Sequence, residues 1–339
     1  MRALLLHRGR KLILSERRKP EPGPGEVRLT VEACAVGDDD LDSWYAGTGT
    51  LPRIPGSEIV GTVDAVGNRR RPFESNIVSF FGEESQRLTP GDRVIVNPFF
   101  PTAEEGAVRK AGLDTDGGLQ EFFVAPAERC TKVNGHEPLE HILCVPALSE
   151  AIGYLEELSV TAGETLIVFG AGGLGAFVAI AAQLKGARVI LVDTQEANLE
   201  QARAIGIEHT VNPFRSSVPD ELEWLAPRGK ADALIETSGK TEVMPGLLAV
   251  CGEGSRVGFA KPLLHDLSIA TLVEGGLRLV GLGTLLPDAK EAIALSQRCD
   301  LSAAIGVTLD IERLPASFST LAKGKAPFLR AMVTLRQGT

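Results

Sequence analysis

The sequence has little of what marks secreted, membrane-bound or nucleic-acid-binding proteins. Its 5 cysteines among 339 residues are scattered and odd in number, which argues against a disulfide framework or a structural zinc cluster. Charges interrupt every apolar run before about 18 residues, so neither a membrane helix nor a signal peptide is predicted. The 44 acidic residues outnumber the 35 basic ones, and the formal net charge of -9 disfavours a polyanionic partner. These deficits predict a cytoplasmic enzyme or binding protein that contacts neither nucleic acid nor membrane.

The amino-terminal part of the chain has the pattern of a β-rich domain. The composition, 44% hydrophobic with 37 glycines, is that of a globular protein with many turns, and the length favours two domains. In "EVRLTVEA", Val27, Leu29 and Val31 alternate with polar residues, the period of a half-buried strand. The segments "EIVGTVDAVG", "GDRVIVNP" and "LQEFFVAP" repeat this alternation between Gly or Pro residues. We therefore expect a small barrel or sandwich here.

Beyond Pro146 the pattern changes to strands that alternate with helices. "TLIVFG" is fully apolar, as expected for a strand that a parallel sheet buries on both faces. Helices are predicted at 174–185 and over "EANLEQARAIG", between the strands "RVILVD", "ADALIET", "SRVGFA" and "LRLVGLGT". The predicted fold class is α/β, with a Rossmann-type doubly wound parallel sheet over residues 149–285. The remainder, 286–339, is predicted to pack back on the first domain through a helix and a last strand, "RAMVTLR".

The stretch "VFGAGGLGAF" is the strongest functional motif. Gly170, Gly172 and Gly175 have G-x-G-x-x-G spacing directly after an apolar strand and at the start of a predicted helix. In that context the glycines permit a tight turn, a close approach of a diphosphate to the backbone, and close packing of helix on strand. The amides of Gly173 and Leu174 then point the positive helix end at the phosphates. A dinucleotide-binding site is predicted.

An acidic residue follows at the end of the second strand of this region. The carboxylate of Asp193 can accept hydrogen bonds from ribose hydroxyls and would repel a 2′-phosphate. The next three residues, 194–196, bring no arginine to neutralise such a phosphate. NAD is therefore predicted in preference to NADP.

Read together, these segments resemble the medium-chain dehydrogenase/reductase superfamily, in its zinc-type alcohol dehydrogenase-like form, along essentially the whole chain. The resemblance rests on "EPGPGEVRLTVEAC", "PGSEIVGTVDAVG", "TPGDRVIVNP", "DGGLQEFFVAP", "VTAGETLIVFGAGGLG" and "VILVDTQEANLEQARAIG". It implies a GroES-like barrel catalytic domain (1–148), an inserted Rossmann domain (149–285) and a carboxyl-terminal return to the catalytic domain (286–339). It also implies a homodimer or homotetramer, for which "LRLVGLGT" is the candidate edge strand. Further cofactor contacts implied by the resemblance are Thr194, Asn198, Val257, Leu282, Thr284 and Arg330.

The resemblance fails at the zinc ligands. Zinc-bearing relatives have C-G-x-C-G-S-D-x-H where this chain has "CAVGDDDLD", so the ligand cysteine falls on Gly37 and the ligand histidine on Ser57. The third ligand falls on or beside Pro146, and "NPFFPTAEEGAVRKAGLDTDGG" lacks the four cysteines of the structural zinc lobe. No metal is therefore predicted, because a catalytic zinc needs three Cys, His or carboxylate ligands. One alternative is an unorthodox set made of Cys34, Cys144, Asp40 and Glu58.

Four aspartates, Asp38, Asp39, Asp40 and Asp42, crowd the same stretch and have two interpretations. In the first, Asp38 caps a short helix ending near Gly47, and the other acids complement the helix dipole. In the second they are functional. The resemblance matches Asp39 to the Ser/Thr that passes a proton to the substrate, Asp42 to a relay histidine, and Asp40 to the aspartate behind the ligand histidine. Repulsion within this group would raise a carboxyl pKa and suit acid–base work, with Ser57 and Glu58 as the other catalytic candidates.

The favoured prediction is a zinc-independent NAD(P)(H)-dependent oxidoreductase that reduces a polarised C=C, C=N or C=O bond of a small organic substrate. Loss of a metal removes the group that stabilises an alkoxide, which weakens the case for alcohol oxidation. Trp44 and Phe99 are candidates for an apolar substrate pocket. Two alternatives stay open: an alcohol or polyol dehydrogenase with Asp39 as the base, and a non-catalytic nucleotide-binding relative.

Overall fold

The computed structural model describes residues 1–47, 49–67, 87–101, 108–261, 269–283, 289–322 and 329–335. Its strands are β1 Arg2–His7, β2 Lys11–Glu16, β3 Glu26–Val36, β4 Glu58–Val66, β5 Arg93–Val96, β6 Phe99–Pro101, β7 Val108–Lys110, β8 Phe122–Pro126, β9 Cys130–Lys132, β10 Thr165–Phe169, β11 Arg188–Val192, β12 Thr210–Val211, β13 Ala231–Glu236, β14 Cys251–Phe259, β15 Arg278–Gly281, β16 Ile305–Asp310 and β17 Arg330–Thr334. Its helices are α1 Asp38–Ala46, α2 Leu139–Glu157, α3 Gly173–Leu184, α4 Glu196–Ala204, α5 Val218–Leu225, α6 Met244–Ala249, α7 Ile269–Glu274, α8 Ala289–Ser296 and α9 Leu314–Ala322.

The chain divides into two compact units. The first contains Met1–Pro146 together with Val307–Ala326 and Arg330–Thr339, and the second contains Ala147–Gly306 with Pro327–Leu329. The carboxyl-terminal segment therefore returns to the first unit, through α9 and β17. The fold class predicted from the sequence, α/β with a parallel sheet, is confirmed.

A seven-stranded sheet organises the first unit, in the order β16-β17-β3-β4-β5-β9, with β8 also pairing with β3. Val27, Leu29 and Val31 of β3 are buried, as their alternation predicted. The two strands that pair with the end of β3 run antiparallel to it: Ala35 pairs with Glu58 of β4 and with Met332 of β17. The end of β3 and the starts of β4 and β17 therefore meet at one edge of this sheet, although they come from distant parts of the chain.

The second unit contains a parallel six-stranded sheet with the order β12-β11-β10-β13-β14-β15. All five residues of β10 are buried, which agrees with the apolar sequence "TLIVF". The order reverses between β10 and β13, and ligands of such sheets bind beyond the carboxyl ends of the strands at the point of reversal. The glycine motif follows β10 directly. The topology therefore places that motif where a dinucleotide would be expected.

One long helix was not predicted. The helix α2 contains Pro146, where the sequence pattern suggested a boundary. It is apolar on most of its faces and buried along much of its length, so it lacks the one-sided period by which surface helices are recognised. Among the described helices, none combines the length and the apolar content that crossing a bilayer requires.

Candidate functional site

The glycine turn of the second unit leaves space that only glycine provides. Gly170 has a φ of +100°, a conformation that L-residues rarely adopt. A Cβ at Gly175 would overlap the carbonyl oxygen of Gly170 and lie 2.6 Å from Thr237 Oγ1. Gly172 is the N-cap of α3, and no side chain makes a capping hydrogen bond there. Residues 170–175 therefore form a cradle of backbone amides that fits the diphosphate of a dinucleotide.

Asp193 is joined to this turn by hydrogen bonds. Its side chain is buried, and Oδ2 accepts from the amide of Ala171 at 2.7 Å and from Asn198 Nδ2 at 3.1 Å. Its Oδ1 accepts from the amide of Gln195 at 2.8 Å, and the carbonyl of Thr194 accepts from Asn212 Nδ2. The structure thus brings the predicted residues Asp193, Thr194 and Asn198 together at the end of β11. The hydrogen bond from Ala171 also shows that the carboxylate stabilises the glycine turn, a role that the sequence did not indicate.

Two polar residues at the end of β13 were missed by sequence reasoning. Thr237 Oγ1 lies 3.0 Å from the carbonyl oxygen of Phe169 and 3.1 Å from that of Gly170, so it packs against the glycine turn. Glu236 is fully buried, and its Oε1 accepts from the amides of Ser238 and Gly239, while burial raises its pKa. Their position beside β10 in a parallel sheet could have indicated them, because carboxyl ends of neighbouring strands share one edge.

The remaining predicted cofactor residues of this unit are apolar. Val257 in β14 is fully buried, and Leu282, after β15, is 6% exposed. Leu282 packs against Gly258, where an added Cβ would lie 2.8 Å from Leu282 Cδ1. Both residues thus lie toward the carboxyl ends of β14 and β15, the last two strands in the order of the parallel sheet. The predicted contact Thr284 lies outside the described residues.

In the first unit, Glu58 and Arg330 form a buried ion pair. Arg330 Nε donates to both carboxylate oxygens of Glu58 at 2.8 Å, and the two residues are 5% and 7% exposed. Burial raises the pKa of Glu58 to about 7, against the opposing charge of Arg330. Burial also opposes ionisation of Arg330, but the carboxylates of Glu58 and Asp38 outweigh it, so the pKa of Arg330 is raised. Arg330, predicted as a cofactor contact, is therefore held by a predicted catalytic residue.

Asp40 links the two loops that flank this ion pair. Its Oδ1 accepts from the amide of Gly56 at 2.8 Å and its Oδ2 from the amide of Gly37 at 3.3 Å. Burial raises the pKa of Asp40 to about 6, although these two hydrogen bonds oppose the shift. The expected N-cap is wrong by one residue: Gly37 caps α1, Asp38 lies in the first turn, and Asp40 completes a capping box. Gly37 takes the cap because the Asp40 carboxylate reaches back to its amide.

The other predicted catalytic residues differ in their solvent exposure. Asp39 and Asp42 are exposed on α1, whereas Ser57 is 8% exposed at the start of β4. Asp39 pairs with Lys110 Nζ, which lies 4.8 Å from the ring centroid of Phe99. Lys110 thus connects a predicted catalytic carboxylate to a predicted substrate residue. No local pattern in the sequence indicated it.

Trp44, the other predicted substrate residue, is 8% exposed. It packs on Phe318 with ring centroids 5.6 Å apart, and its Nε1 donates to the carbonyl of Arg10. It also contributes to the wall of an open pocket of about 390 Å³, together with Arg10 and Tyr45. The structure thus brings Phe99 into contact with the Lys110–Asp39 pair, whereas the described contacts of Trp44 are with Phe318 and Arg10.

The residues at the positions where zinc-dependent relatives bind the metal do not fit a metal ion. Gly37 has no side chain, Ser57 has a neutral hydroxyl, and the side chain of Pro146 has no ligand atom. The carboxylate of Glu58 accepts a hydrogen bond from Arg330. Over the residues that the structure describes, no group of three or more His, Cys, Asp or Glu side chains is placed to hold a metal ion. Cys34 is fully buried, and burial, followed by the charges of Asp40 and Glu58, raises its pKa well above the usual value.

The chain is similar to known dehydrogenases over its whole length. Residues 23–135 match the alcohol dehydrogenase GroES-like domain and residues 173–298 match the zinc-binding dehydrogenase family. A zinc-type alcohol dehydrogenase-like protein of Haemophilus influenzae, itself uncharacterized, is 28% identical over 97% of both chains.

Solved structures agree with this similarity at the level of the fold. An alcohol dehydrogenase of Escherichia coli CFT073 in complex with NADH superposes with a TM-score of 0.81 at 19% identity, covering 99% of each chain. A dehydrogenase of Sinorhizobium meliloti 1021 bound to NADP gives 0.83 at 21% identity, covering 98% of this chain and 99% of the other. The glycine cradle, the parallel sheet and the GroES-like unit lead to the same conclusion. The chain belongs to the medium-chain dehydrogenase/reductase superfamily, in its zinc-type alcohol dehydrogenase-like branch, and is an NAD(P)-dependent oxidoreductase.

Proposed function

We propose that the protein is a zinc-independent oxidoreductase that moves hydride between a nicotinamide cofactor and a small organic substrate, mainly as a reductase of a polarised C=C, C=N or C=O bond. One observation carries the proposal: the cofactor cradle at 170–175 is intact, whereas Glu58 is bonded to Arg330 and the positions of its expected partner ligands are Gly37 and Ser57. An acceptor that is already electrophilic depends less on a metal than an alcohol does.

The second unit binds the cofactor in this proposal, and a nicotinamide dinucleotide supplies the hydride equivalent when it is bound. The amides at the start of α3 hold the diphosphate, which approaches the backbone at Gly172, and Gly175 lets α3 pack closely against the turn. Val257, Leu282 and Thr284 are the proposed contacts further along the sheet. The carboxylate of Asp193 accepts hydrogen bonds from the ribose hydroxyls. It favours NAD over NADP because it repels a 2′-phosphate.

Proton transfer is proposed for the exposed carboxylate of Asp39. Lys110 holds this group beside Phe99, which we propose as part of the substrate wall with Trp44. Asp42 lies one turn further along α1 and is exposed, so it can exchange protons with solvent. Ser57 and Glu58, both buried in the same unit, are proposed as the other polar residues of the site. A carboxylate ion-paired in this way also suits a base, which favours an alcohol or polyol dehydrogenase as the second candidate function.

Three properties of the whole protein complete the proposal. We infer a catalytic domain at 1–148, a cofactor domain at 149–285 and a return segment at 286–339. Self-association into a homodimer or homotetramer through β15 is supported by its place at the end of the sheet order and by Leu279, which is 46% exposed. A cytoplasmic location is supported by the free state of all five cysteines, which suits a reducing compartment.

Absorbance at 340 nm tests the proposal with NADH and NADPH against enones, quinones, imines, aldehydes and ketones, and with NAD against alcohols and polyols. We expect turnover of an electrophilic acceptor by protein that elemental analysis finds free of zinc, and a loss of rate in Asp39→Asn. Zinc at about one ion per chain would reject the metal-free mechanism. Cofactor binding without turnover of any compound, unchanged by Asp39→Asn, would support the non-catalytic alternative.

A further inference from the structure

Three elements of the second unit meet at the carbonyl oxygen of Gly170. Thr237 Oγ1, just after β13, lies 3.1 Å from this oxygen and 3.0 Å from the carbonyl oxygen of Phe169. A Cβ at Gly175, in the first turn of α3, would overlap the same oxygen of Gly170. The end of β10, the end of β13 and the start of α3 are therefore in close contact at this point.

Thr237 limits the space on both sides of the glycine turn. Its Oγ1 would lie 2.7 Å from a Cβ at Gly170 and 2.6 Å from a Cβ at Gly175. Its backbone amide donates to the carbonyl of Phe169 at 2.9 Å, and its single O–H donates to the carbonyl of Phe169 or of Gly170. The backbone and the side chain of Thr237 thus both hold the strand end from which the turn starts.

The carboxyl group of Glu236 fixes the segment that begins with Thr237. Its Oε1 accepts from the amide of Ser238 at 2.6 Å, from Ser238 Oγ at 2.6 Å and from the amide of Gly239 at 2.7 Å. Glu236 is fully buried, where a carboxyl group is unfavourable unless donors surround it. The Cβ and the amide nitrogen of Ser238 would lie 3.0 and 3.1 Å from a Cβ at Gly170. The segment that Glu236 fixes therefore packs directly against the glycine turn.

The order of the parallel sheet explains why this contact concerns the cofactor. The strand β10, which leads into the glycine turn, lies between β11 and β13. From the side of β11, Asp193 accepts a hydrogen bond from the amide of Ala171 in the turn. From the side of β13, Thr237 contacts the carbonyl of Gly170. The turn that we propose as the diphosphate site is thus held from both neighbouring strands.

We propose that Thr237 is a positioning residue for the cofactor and that Glu236 acts through it. The hydroxyl group of Thr237 holds the carbonyl groups that precede the amides of the turn, so that these amides are already oriented when the diphosphate arrives. A loop that is held in its binding conformation needs no further ordering, which increases affinity. The inference rests on the proposed cofactor site at residues 170–175.

Thr237→Val is the sharpest test, because valine keeps the shape of the side chain but lacks the hydroxyl group. Thr165→Val is the matched control: Thr165 begins β10 at the opposite edge of the sheet, is fully buried, and its Oγ1 has no hydrogen-bond partner within the described part of the chain. Thr237→Ser keeps the hydroxyl group and tests rescue. The readouts are the Kd of NADH and of AMP by calorimetric titration and the free energy of unfolding in urea.

We expect Thr237→Val to raise the Kd of NADH about threefold to tenfold, which is the contribution of one hydrogen bond. Thr237→Ser and Thr165→Val should remain within about twofold of wild type, because neither removes a hydrogen bond to the turn. AMP has no diphosphate, so its Kd should change less than that of NADH in Thr237→Val. An unchanged Kd of NADH in Thr237→Val, or equal changes for NADH and AMP, would overturn the inference even if urea unfolding showed a loss of stability.

Glu236→Gln and Glu236→Met test the second residue. Glutamine keeps an acceptor oxygen for the amides of Ser238 and Gly239, whereas methionine has none, so the Kd of NADH should rise more in Glu236→Met. In the Thr237→Val background, Glu236→Met should raise this Kd by less than it does alone, because residues that act as one unit are not additive. Additive effects would reject the role of Glu236. Wild-type protein that binds neither NADH nor NADPH would reject the proposed function itself, whereas normal NADH binding by Thr237→Val rejects this inference alone.

Discussion

The carboxylate of Asp193 accepts a hydrogen bond from the amide of Ala171 at 2.7 Å, so the residue that we propose as the ribose contact also stabilises the turn that we propose as the diphosphate site. The same oxygen accepts from Asn198, and the other accepts from the amide of Gln195. Three donors fix the carboxylate before any ligand arrives. Cofactor selection and turn geometry are therefore expected to change together when this residue is altered.

Asp193→Asn tests this coupling. The amide keeps the size of the side chain but replaces one acceptor oxygen with a donor that faces a backbone or side-chain N–H. We expect the Kd of NADH to rise about tenfold or more, since a charged hydrogen bond contributes about 1.5–3 kcal/mol, and the ratio of NADPH to NADH affinity to increase. Fluorescence titration with both cofactors measures this. Glu200→Gln, an exposed change on α4, is the control and should leave both Kd values unaltered.

Gly175→Ala is expected to abolish cofactor binding and to destabilise the second unit. The new methyl group would overlap the carbonyl oxygen of Gly170 and crowd Thr237 Oγ1, so helix α3 must move away from β10. Such overpacking costs about 1–3 kcal/mol or more. Gly246→Ala is the control in the same unit, because nothing lies within 4 Å of its Cβ position in α6. Urea unfolding that shows no difference between the two variants would contradict the close packing described here.

The glycine turn was predictable because its whole signal is local. An apolar strand, three glycines at fixed spacing and a helix lie within one stretch of sequence, and each has a separate physical reason. The half-buried strand β3 was predictable for the same reason, from the alternation of Val27, Leu29 and Val31. Local patterns thus gave the fold class, the cofactor motif and the main strands.

The catalytic unit was less predictable because its contacts join distant parts of the chain. Glu58 and Arg330 are 272 residues apart, and nothing near either residue indicates the other. Lys110 reaches Asp39 across 71 residues in the same way. The start of α1 was misplaced by one residue because four aspartates offered competing caps, and the structure shows that Asp40 accepts from the amide of Gly37. Side-chain pairing across strands is fixed by register, which a single sequence does not display.

Leu279→Lys tests the proposed self-association through β15. The strand ends the described sheet order, so its outer edge can pair with a second copy, and Leu279 is 46% exposed there. A charged side chain at an edge strand opposes such pairing. Light scattering after gel filtration should show wild type as a dimer or tetramer and the variant shifted toward monomer. Ile13→Lys, equally exposed in the first unit, is the control. A monomeric wild type, or an unchanged variant, would remove β15 as the interface.

Asp40→Asn is expected to become more stable relative to wild type as pH rises. The pKa of Asp40 is raised from 3.8 to about 6, so the folded state binds more protons than the unfolded state between these values. The stability that this proton contributes is complete below about pH 4 and is lost as pH rises through 6. Asparagine is neutral throughout and escapes that loss. The difference between variant and wild type should therefore change by about 2–3 kcal/mol in favour of the variant between pH 4 and pH 8.

Urea unfolding at several pH values measures that difference directly. Comparison with a variant is needed because other carboxyl groups affect the stability of wild type in the opposite sense. The pKa values of Asp64, Asp92 and Glu121 are lowered in the folded state, so the stability that these groups contribute is lost as pH falls. Asp42→Asn on the same helix is the matched control for loss of an exposed acidic side chain. If the curve of Asp40→Asn runs parallel to that of wild type, the buried carboxyl keeps an ordinary pKa. The two amides of Gly37 and Gly56 would then offset the cost of burying its charge, and Asp40 would act as a fixed anion rather than as a proton carrier.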